Sequence, residues 1–319
     1  MKKLKIISIV GMLFLAIVAI IWASKPRLIS KNIKTVTAES NSDLSFAVLG
    51  DVHENIEHFQ ETINNLYTIN PNMDALILNG DVVDQGLDEQ YKSVEKTLEK
   101  NKDLLPKTII KNIGNHEFFD YNIETNSKEQ VQGFINRYLD FAGEEKVYHD
   151  KWINNYHFIS LGSEDGNSET MNSITAFISN EQIEWFKDKL AEKYEKGKPI
   201  FVFLHQHLDF GDSSWTGVQQ SEEIKEILAN YPEVVLFSSH THRDLTKDSV
   251  ILNKPFTVVH TGAVHYTILP DSGTEDGFIR DRNYIKGVYI EVNGNNVTIK
   301  GRDIKEKEWI FSTEVSSKT

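Results

Sequence analysis

Five short apolar runs in this chain each stop at a cluster of Asp, Asn and His, and this pattern limits what the chain can become more than any other feature. The run ending at Leu49 leads into Gly50-Asp51-Val52-His53, and the run ending at Leu78 leads into Asn79-Gly80-Asp81-Val82-Val83-Asp84. Three more lead into Gly114-Asn115-His116-Glu117, His205-Gln206-His207 and Ser238-Ser239-His240-Thr241-His242. Short runs rich in Val, Ile, Leu and Phe favour strands. Sheets of α/β proteins place their ligand sites just past the C-terminal ends of such strands. One Gly-Asp or one His after a strand reads as a turn. Five such runs in succession read as a site.

Strands are expected at 44–49, 75–78, 108–113, 156–161, 200–204, 234–238, 256–261, 287–292 and 296–301. Helical segments separate several of them. Ser127-Lys128-Glu129-Gln130 reads as a capping box ahead of Val131, Phe134, Ile135, Tyr138 and Leu139. Ser179-Asn180-Glu181-Gln182 repeats the device ahead of Ile183, Phe186 and Leu190, with Gly197 as the stop. Ser221 opens a third helix carrying Ile224, Ile227 and Leu228, and the Lys/Glu-rich stretch 88–102 reads as a solvated helix face. The last third is mostly strand, with a hairpin-like Asn293-Gly294-Asn295-Asn296 turn. The order predicts α/β layers in which strands from both halves form packed sheets. The folded domain is expected at 44–315.

The N-terminus predicts a membrane link. Lys2, Lys3 and Lys5 precede an uncharged stretch, 6–23, whose only hydroxyl is Ser8. A helix there, rising ~1.5 Å per residue, nearly crosses a hydrocarbon core of about 30 Å. The basic front stays in the cytoplasm. Residues 1–24 are therefore expected to be a signal-anchor, 25–43 a linker, and the domain extracytoplasmic on a single-pass cell-membrane protein. The rival is a cleaved signal peptide and a secreted protein. Against it, the stretch is longer than the usual apolar region of a signal peptide, and bulky Ile21 and Trp22 precede the best cleavage point. A net charge of -13 argues against duplex nucleic acid as a partner. The absence of Cys excludes disulfides, thiolate zinc sites and a cysteine nucleophile.

Side chains two apart on an extended chain point the same way, so Asp51 and His53 are expected to reach one cation, and likewise His240 and His242. Carboxylate, imidazole and amide oxygen together suit Mn, Fe, Zn, Co or Ni. Gly50, Gly80 and Gly114 permit close approach of backbone to the site. Two cations a few ångströms apart need a shared anionic ligand, for which Asp81 is the natural choice. By the same spacing His207 lies on the side of His205. His265 and Tyr266 are candidates to line the pocket, Phe118 and Phe119 to pack, and His58, His149 and His157 to be structural or solvated.

The runs from Asp51 to His242 resemble the calcineurin-like metallophosphoesterase family, whose pattern is Asp-x-His, Gly-Asp-x-x-Asp, Gly-Asn-His-Glu, His and Gly-His-x-His. The resemblance implies a four-layer αββα sandwich with a dinuclear metal site at the strand C-terminal ends. It implies that Asp51, His53 and His242 hold one divalent cation, that Asn115, His205 and His240 hold a second, and that Asp81 bridges them. His116 would be the catalytic histidine, oriented by Asp84. Ser239 stands where the family usually has Gly. Gln85 stands where the protein Ser/Thr phosphatase branch has Arg, and neither Val83 nor Asp84 is the metal-binding Tyr of a purple acid phosphatase. The pattern thus leans to a phosphodiesterase branch similar to bacterial cyclic nucleotide phosphodiesterases. The implied activity is hydrolysis of a small phosphoester, diester or monoester, by a metal-activated hydroxide, with His116 donating to the leaving oxygen. The alternative is a catalytically inactive, metal-stabilised surface binding protein. All seven ligand positions of the pattern and the catalytic His116 are filled, which favours the enzyme.

Overall fold

The computed structural model describes residues 42–208, 217–275 and 277–316. The expected anchor at 1–24 and the linker up to residue 41 lie outside the described residues. Among the described residues, no helix is long and apolar enough to cross a membrane.

Strands β1 (Leu44–Leu49), β2 (Ala75–Asn79) and β3 (Thr108–Asn112) run parallel, as βαβ connections through helices α1 (Ile56–Ile69) and α2 (Asp88–Lys100) require. The C-terminal strands β12 (Lys286–Asn293), β13 (Asn296–Asp303) and β14 (Glu308–Ser316) extend this sheet as an antiparallel meander, with β12 against β1. The second sheet is built from β4 (His149–Ile153), β5 (Tyr156–Ser160), β6 (Ile200–Phe203), β7 (Val234–Ser238), β8 (Val250–Ile251) and β9 (Thr257–His260). Its order is β4-β5-β6-β7-β9-β8, with β5, β6, β7 and β9 parallel. A separate hairpin pairs β10 (Thr267–Pro270) with β11 (Phe278–Asp281).

The period-two alternation of strand side chains explains the layering. Leu44, Phe46 and Val48 of β1 face the second sheet, where Phe158, Phe201, Phe203 and Phe237 meet them. The Phe46 ring lies 5.0 Å from Phe158 and 4.8 Å from Phe201, both edge-on. The alternate residues Ala47 and Leu49 pack under α1, α2 and α3 (Lys128–Ala142) through Phe59, Val94 and Phe134. On the outer side of the second sheet, Val202 and Leu236 pack under Phe186 of α4 (Asn180–Ala191) and Ile224 of α5 (Ser221–Leu228). The result is the expected αββα sandwich. Strands buried on both faces read as continuous apolar runs, which is why they stood out in the sequence.

Several sequence expectations need correction. Strands β4, β8, β10, β11 and β14 were not marked by apolar runs, because they are short or lie at sheet edges with much of their surface exposed. The capping box at Ser127 forms completely, with Gln130 answering the cap. At Ser179 only the first half forms: Ser179 accepts from the Gln182 amide, while the buried Gln182 side chain turns to Gly162 and Glu164. That helix ends at Ala191, and Gly197 instead stands in the turn before β6, where its amide donates to Glu233 at 2.8 Å. The stretch 88–102 is not merely solvated, since Tyr91 and Val94 of α2 are buried in the core.

Candidate active site

The loops after β1, β2 and β7 are built from backbone that side-chain-bearing residues seldom adopt. Asp51 (φ 55), His53 (φ 48), Glu54 (φ 53), Asp81 (φ 49), His240 (φ 69) and His242 (φ 51) all lie in the left-handed region. Each such residue costs roughly 1–3 kcal/mol unless its surroundings impose it. Here they do. The amides of His53 and Glu54 donate to the carbonyls of Asp81 and Val82, both at 2.9 Å, so the first two loops hold each other. This overturns the period-two argument for Asp51 and His53, which are not on extended chain. It also separates His240 from His242: the former joins Asp81 and His205, the latter Asp51 and His53.

The predicted residues form linked groups whose ligand atoms lie within 4.8 Å of one another: Asp51–His53–His242, His53–Asp81–His116 and Asp81–His205–His240. Asp81 belongs to two of them. Its Oδ2 lies 3.1 Å from His205 Nε2 and 3.8 Å from His53 Nε2, while its Oδ1 accepts from the His116 amide at 2.8 Å. The imidazole tautomers follow from their other neighbours. His205 Nδ1 faces the Asn79 carbonyl at 2.8 Å, His242 Nδ1 the Tyr266 carbonyl at 2.9 Å, and His53 Nδ1 the Asp84 carboxylate at 3.3 Å. Each partner only accepts, so each Nδ1 carries a hydrogen. His53 and His242, held below the imidazole range, present Nε2 lone pairs inward, whereas His205 Nε2 faces the Asp81 carboxylate at 3.1 Å. His53 Nε2 and His242 Nε2 then face each other at 3.1 Å, with Asp51 Oδ1 3.3 Å from His242 Nε2. Asn115 donates its amide to the Ser173 carbonyl at 3.1 Å, and its buried Oδ1 has no hydrogen-bond partner. Donors of this kind, crowded and unsatisfied by hydrogen, fit divalent cations.

The electrostatics agree. Burial pushes the Asp51 carboxyl up to about 8, against the pull of His205. Burial also holds His53, His240 and His242 below the usual imidazole range. His205 and His116 move up to about 9 despite their burial, because the Asp81 carboxylate lies beside both. His116 differs from the others in reaching the surface, with 21% of its side chain exposed. Its Nδ1 donates to the Asp84 carbonyl at 2.9 Å, and the Asp84 carboxylate lies 3.5 Å away. Asp84 thus touches His116 chiefly through its backbone, while its carboxylate lies closer to His53.

Residues outside the predicted ligand set hold this group in place. A buried relay crosses from one sheet to the other: Asn112 Nδ2 donates to Asn79 Oδ1 and Asn79 Nδ2 donates to Ser239 Oγ, both at 3.0 Å, and Ser239 Oγ meets Thr261 Oγ1 at 2.7 Å. Ser239 is therefore a working member of the frame and not a mere small substitute. Gly80 and Gly114 are required sterically, since a Cβ would come within 2.5 Å of the His205 ring at Gly80 and 2.3 Å of Asp81 Oδ1 at Gly114. Around the edge, the His207 ring lies 6.2 Å from His240, the His265 ring 5.3 Å from His53, and the Tyr266 ring stacks on His242 at 4.1 Å. Phe118 is core, whereas the Phe119 ring lies 4.4 Å from His116. His58, His149 and His157 bond to the Val264 carbonyl, the Lys111 carbonyl and the Asp150 carboxylate, which are structural roles.

Glu117 is the clamp. Its buried carboxylate accepts from the amides of Asp81 (3.0 Å), Val82 (2.8 Å) and Gly114 (2.6 Å), tying the loop after β2 to the loop after β3. Glu117→Gln keeps the shape but turns an NH2 toward one of these donors. It is expected to cost about 1–3 kcal/mol in a urea titration and to weaken metal uptake. An unchanged unfolding midpoint would rule out the clamp.

Comparison with known proteins agrees with this geometry. The family model described as calcineurin-like phosphoesterase matches residues 44–244, a span that contains every predicted metal-ligand residue as well as Asp84 and His116. A 3',5'-cyclic-nucleotide phosphodiesterase of Nostoc sp. is 25% identical over 199 residues, which is 60% of this chain and 64% of that protein, so the match spans less than two thirds of the relative. A dimetal phosphatase from Danio rerio superposes with a TM-score of 0.57 at 12% identity, over 87% of this chain and 100% of that one. A purple acid phosphatase from yellow lupin (Lupinus luteus) superposes with a TM-score of 0.60 at 12% identity, over 86% of this chain and 53% of that one. At such identities the two structures speak to the fold alone. With the family match covering more than half of its length, the chain belongs to the calcineurin-like phosphoesterase family.

Proposed function

We propose that this protein hydrolyses phosphoric esters at a site holding two divalent cations, one among Asp51, His53 and His242 and one among Asn115, His205 and His240, with Asp81 between them. The observation that carries the reading is the set of inward Nε2 lone pairs and buried carboxylate oxygens that share Asp81. Bound there, two cations would lower the pKa of water and neutralise phosphoryl oxygens. Mn, Fe, Zn, Co and Ni all suit the donor set.

The chain's own groups supply the rest. Asp84 fixes the His116 ring through its carbonyl, and the Asp81 and Asp84 carboxylates beside it favour the protonated ring. His116 is thus suited to donate a hydrogen bond or proton to the leaving oxygen. The glycines and the buried relay hold the donors so that little reorganisation is needed when charge develops. Both a diester and a monoester fit this chemistry, and the similarity to the Nostoc phosphodiesterase supports the diester.

The N-terminal lysines and the uncharged stretch 6–23 support an anchored protein whose catalytic domain lies outside the cell membrane. Protease added to intact cells should then release the domain; a domain protected until lysis would contradict this topology.

For the chemistry, chelator should abolish hydrolysis of bis(4-nitrophenyl) phosphate and manganese should restore it. Asp81→Ala should lose at least about 10³-fold in kcat, and His116→Ala about 10²–10⁴-fold. Either variant retaining wild-type rates would sink the mechanism. Full metal uptake without turnover of any phosphoester would support the inactive binding protein instead.

A further inference from the structure

Exposed rings stand on two segments that reach this site, the loop after His116 and the β10–β11 hairpin. Tyr121, 63% exposed, and Phe278, 53% exposed, are the most exposed large apolar side chains among the described residues. Single exposed apolar residues are ordinary, but a group of them beside a cleft marks a binding surface.

On one side, the Phe119 ring lies 4.4 Å from His116 and 6.3 Å from Tyr121. Tyr121 is held despite its exposure. Its amide donates to Gln85 Oε1 at 2.8 Å, and its hydroxyl points to the Asp84 carbonyl at 3.4 Å. Gln85, which stands where one branch of the family has an Arg, thus holds the loop that carries this ring.

On the other side, the β10–β11 hairpin is tied to the metal-ligand loop by the Ile268 amide, which donates to the His242 carbonyl at 2.8 Å. Tyr266 at its base stacks on His242, and the Arg280 guanidinium lies 5.8 Å from the Tyr266 ring. Phe278, two residues from Arg280 along β11, shares its face of the strand. Between the two sides the buried His53 ring lies 4.3 Å from His116 and 5.0 Å from His242, so a collar of rings runs from Tyr121 to Tyr266.

We propose that this collar is a subsite for a planar, aromatic leaving group, with Tyr121 and Phe119 stacking on its face and Arg280, beside Tyr266, bonding its polar edge. The assignment rests on the phosphoesterase reading, because it is the placing of His116 at the leaving oxygen that puts the collar on the leaving-group side. Rings already fixed by backbone contacts lose little freedom on stacking. A quaternary ammonium would also find π faces here, but the Arg280 cation repels it. A flat ring with acceptor atoms on its edge satisfies both the aromatic faces and the guanidinium.

The test uses the full chain loaded with manganese and two phosphonates of similar bulk, phenylphosphonate and cyclohexylphosphonate, with Kd measured by calorimetry. The wild type is expected to bind the planar compound about 3–10-fold more tightly, as one stacked pair provides. Tyr121→Ala should bring that ratio close to one, and Tyr121→Phe should keep it. A wild-type ratio of one, or a ratio that Tyr121→Ala leaves unchanged, would overturn the subsite. Loss of all hydrolysis of bis(4-nitrophenyl) phosphate by the same loaded chain would count against the phosphoesterase reading instead, and the binding ratio reports on the collar independently of turnover.

Discussion

His53 and His242 turn unprotonated nitrogens toward each other at 3.1 Å, and Asp51 and Asp81 add carboxylate oxygens to the same buried space. Taken alone these atoms repel. Away from water they cannot be relieved by solvation, and their remaining hydrogens are already committed to backbone carbonyls and to Asp84. Positive charge placed among them turns the repulsion into binding. Protons supply some of it in the bare polypeptide, which is why His205 and His116 rise to about 9. Divalent cations would do so more completely.

The rest of the architecture can be understood as what holds such an arrangement together. The Phe-rich layer between the sheets fixes the strands rigidly, so their C-terminal ends meet at one edge. Left-handed residues at Asp51, His53, Asp81, His240 and His242 then turn the chain sharply enough to aim side chains back at a common point. These turns would not persist alone. Glu117 accepts three amides from two of the loops, and the Asn112–Asn79–Ser239–Thr261 relay joins the sheets beneath them. Strain at the site is thus balanced by hydrogen bonds just outside it, which preorganises the donors.

The sequence made the central strands and the site residues legible because both leave local marks. Strands buried on two faces are continuous apolar runs, and Asp, Asn and His clustered directly after them have few other uses. Edge strand β14, with half its residues exposed, leaves no such mark, and β10 and β11 are too short to show a period. The two-residue spacing of Asp51 and His53 gave the right neighbours for the wrong reason, since the backbone there is a left-handed turn. His240 and His242, with the same spacing, belong to different groups. The roles of Asn79, Asn112 and Glu117 were illegible because their partners are 33 to 160 positions away, or are backbone amides that carry no residue-specific signal. The chain of rings from Phe119 through His116 and His53 to Tyr266 is hidden for the same reason, since these residues come together only through the fold.

Anomalous diffraction from crystals grown with manganese tests the dinuclear account most directly. The account predicts two peaks a few ångströms apart, with Asp81 between them, and loss of at least one peak in Asp81→Asn. A single ion, or a pair that Asp81 does not touch, would contradict it.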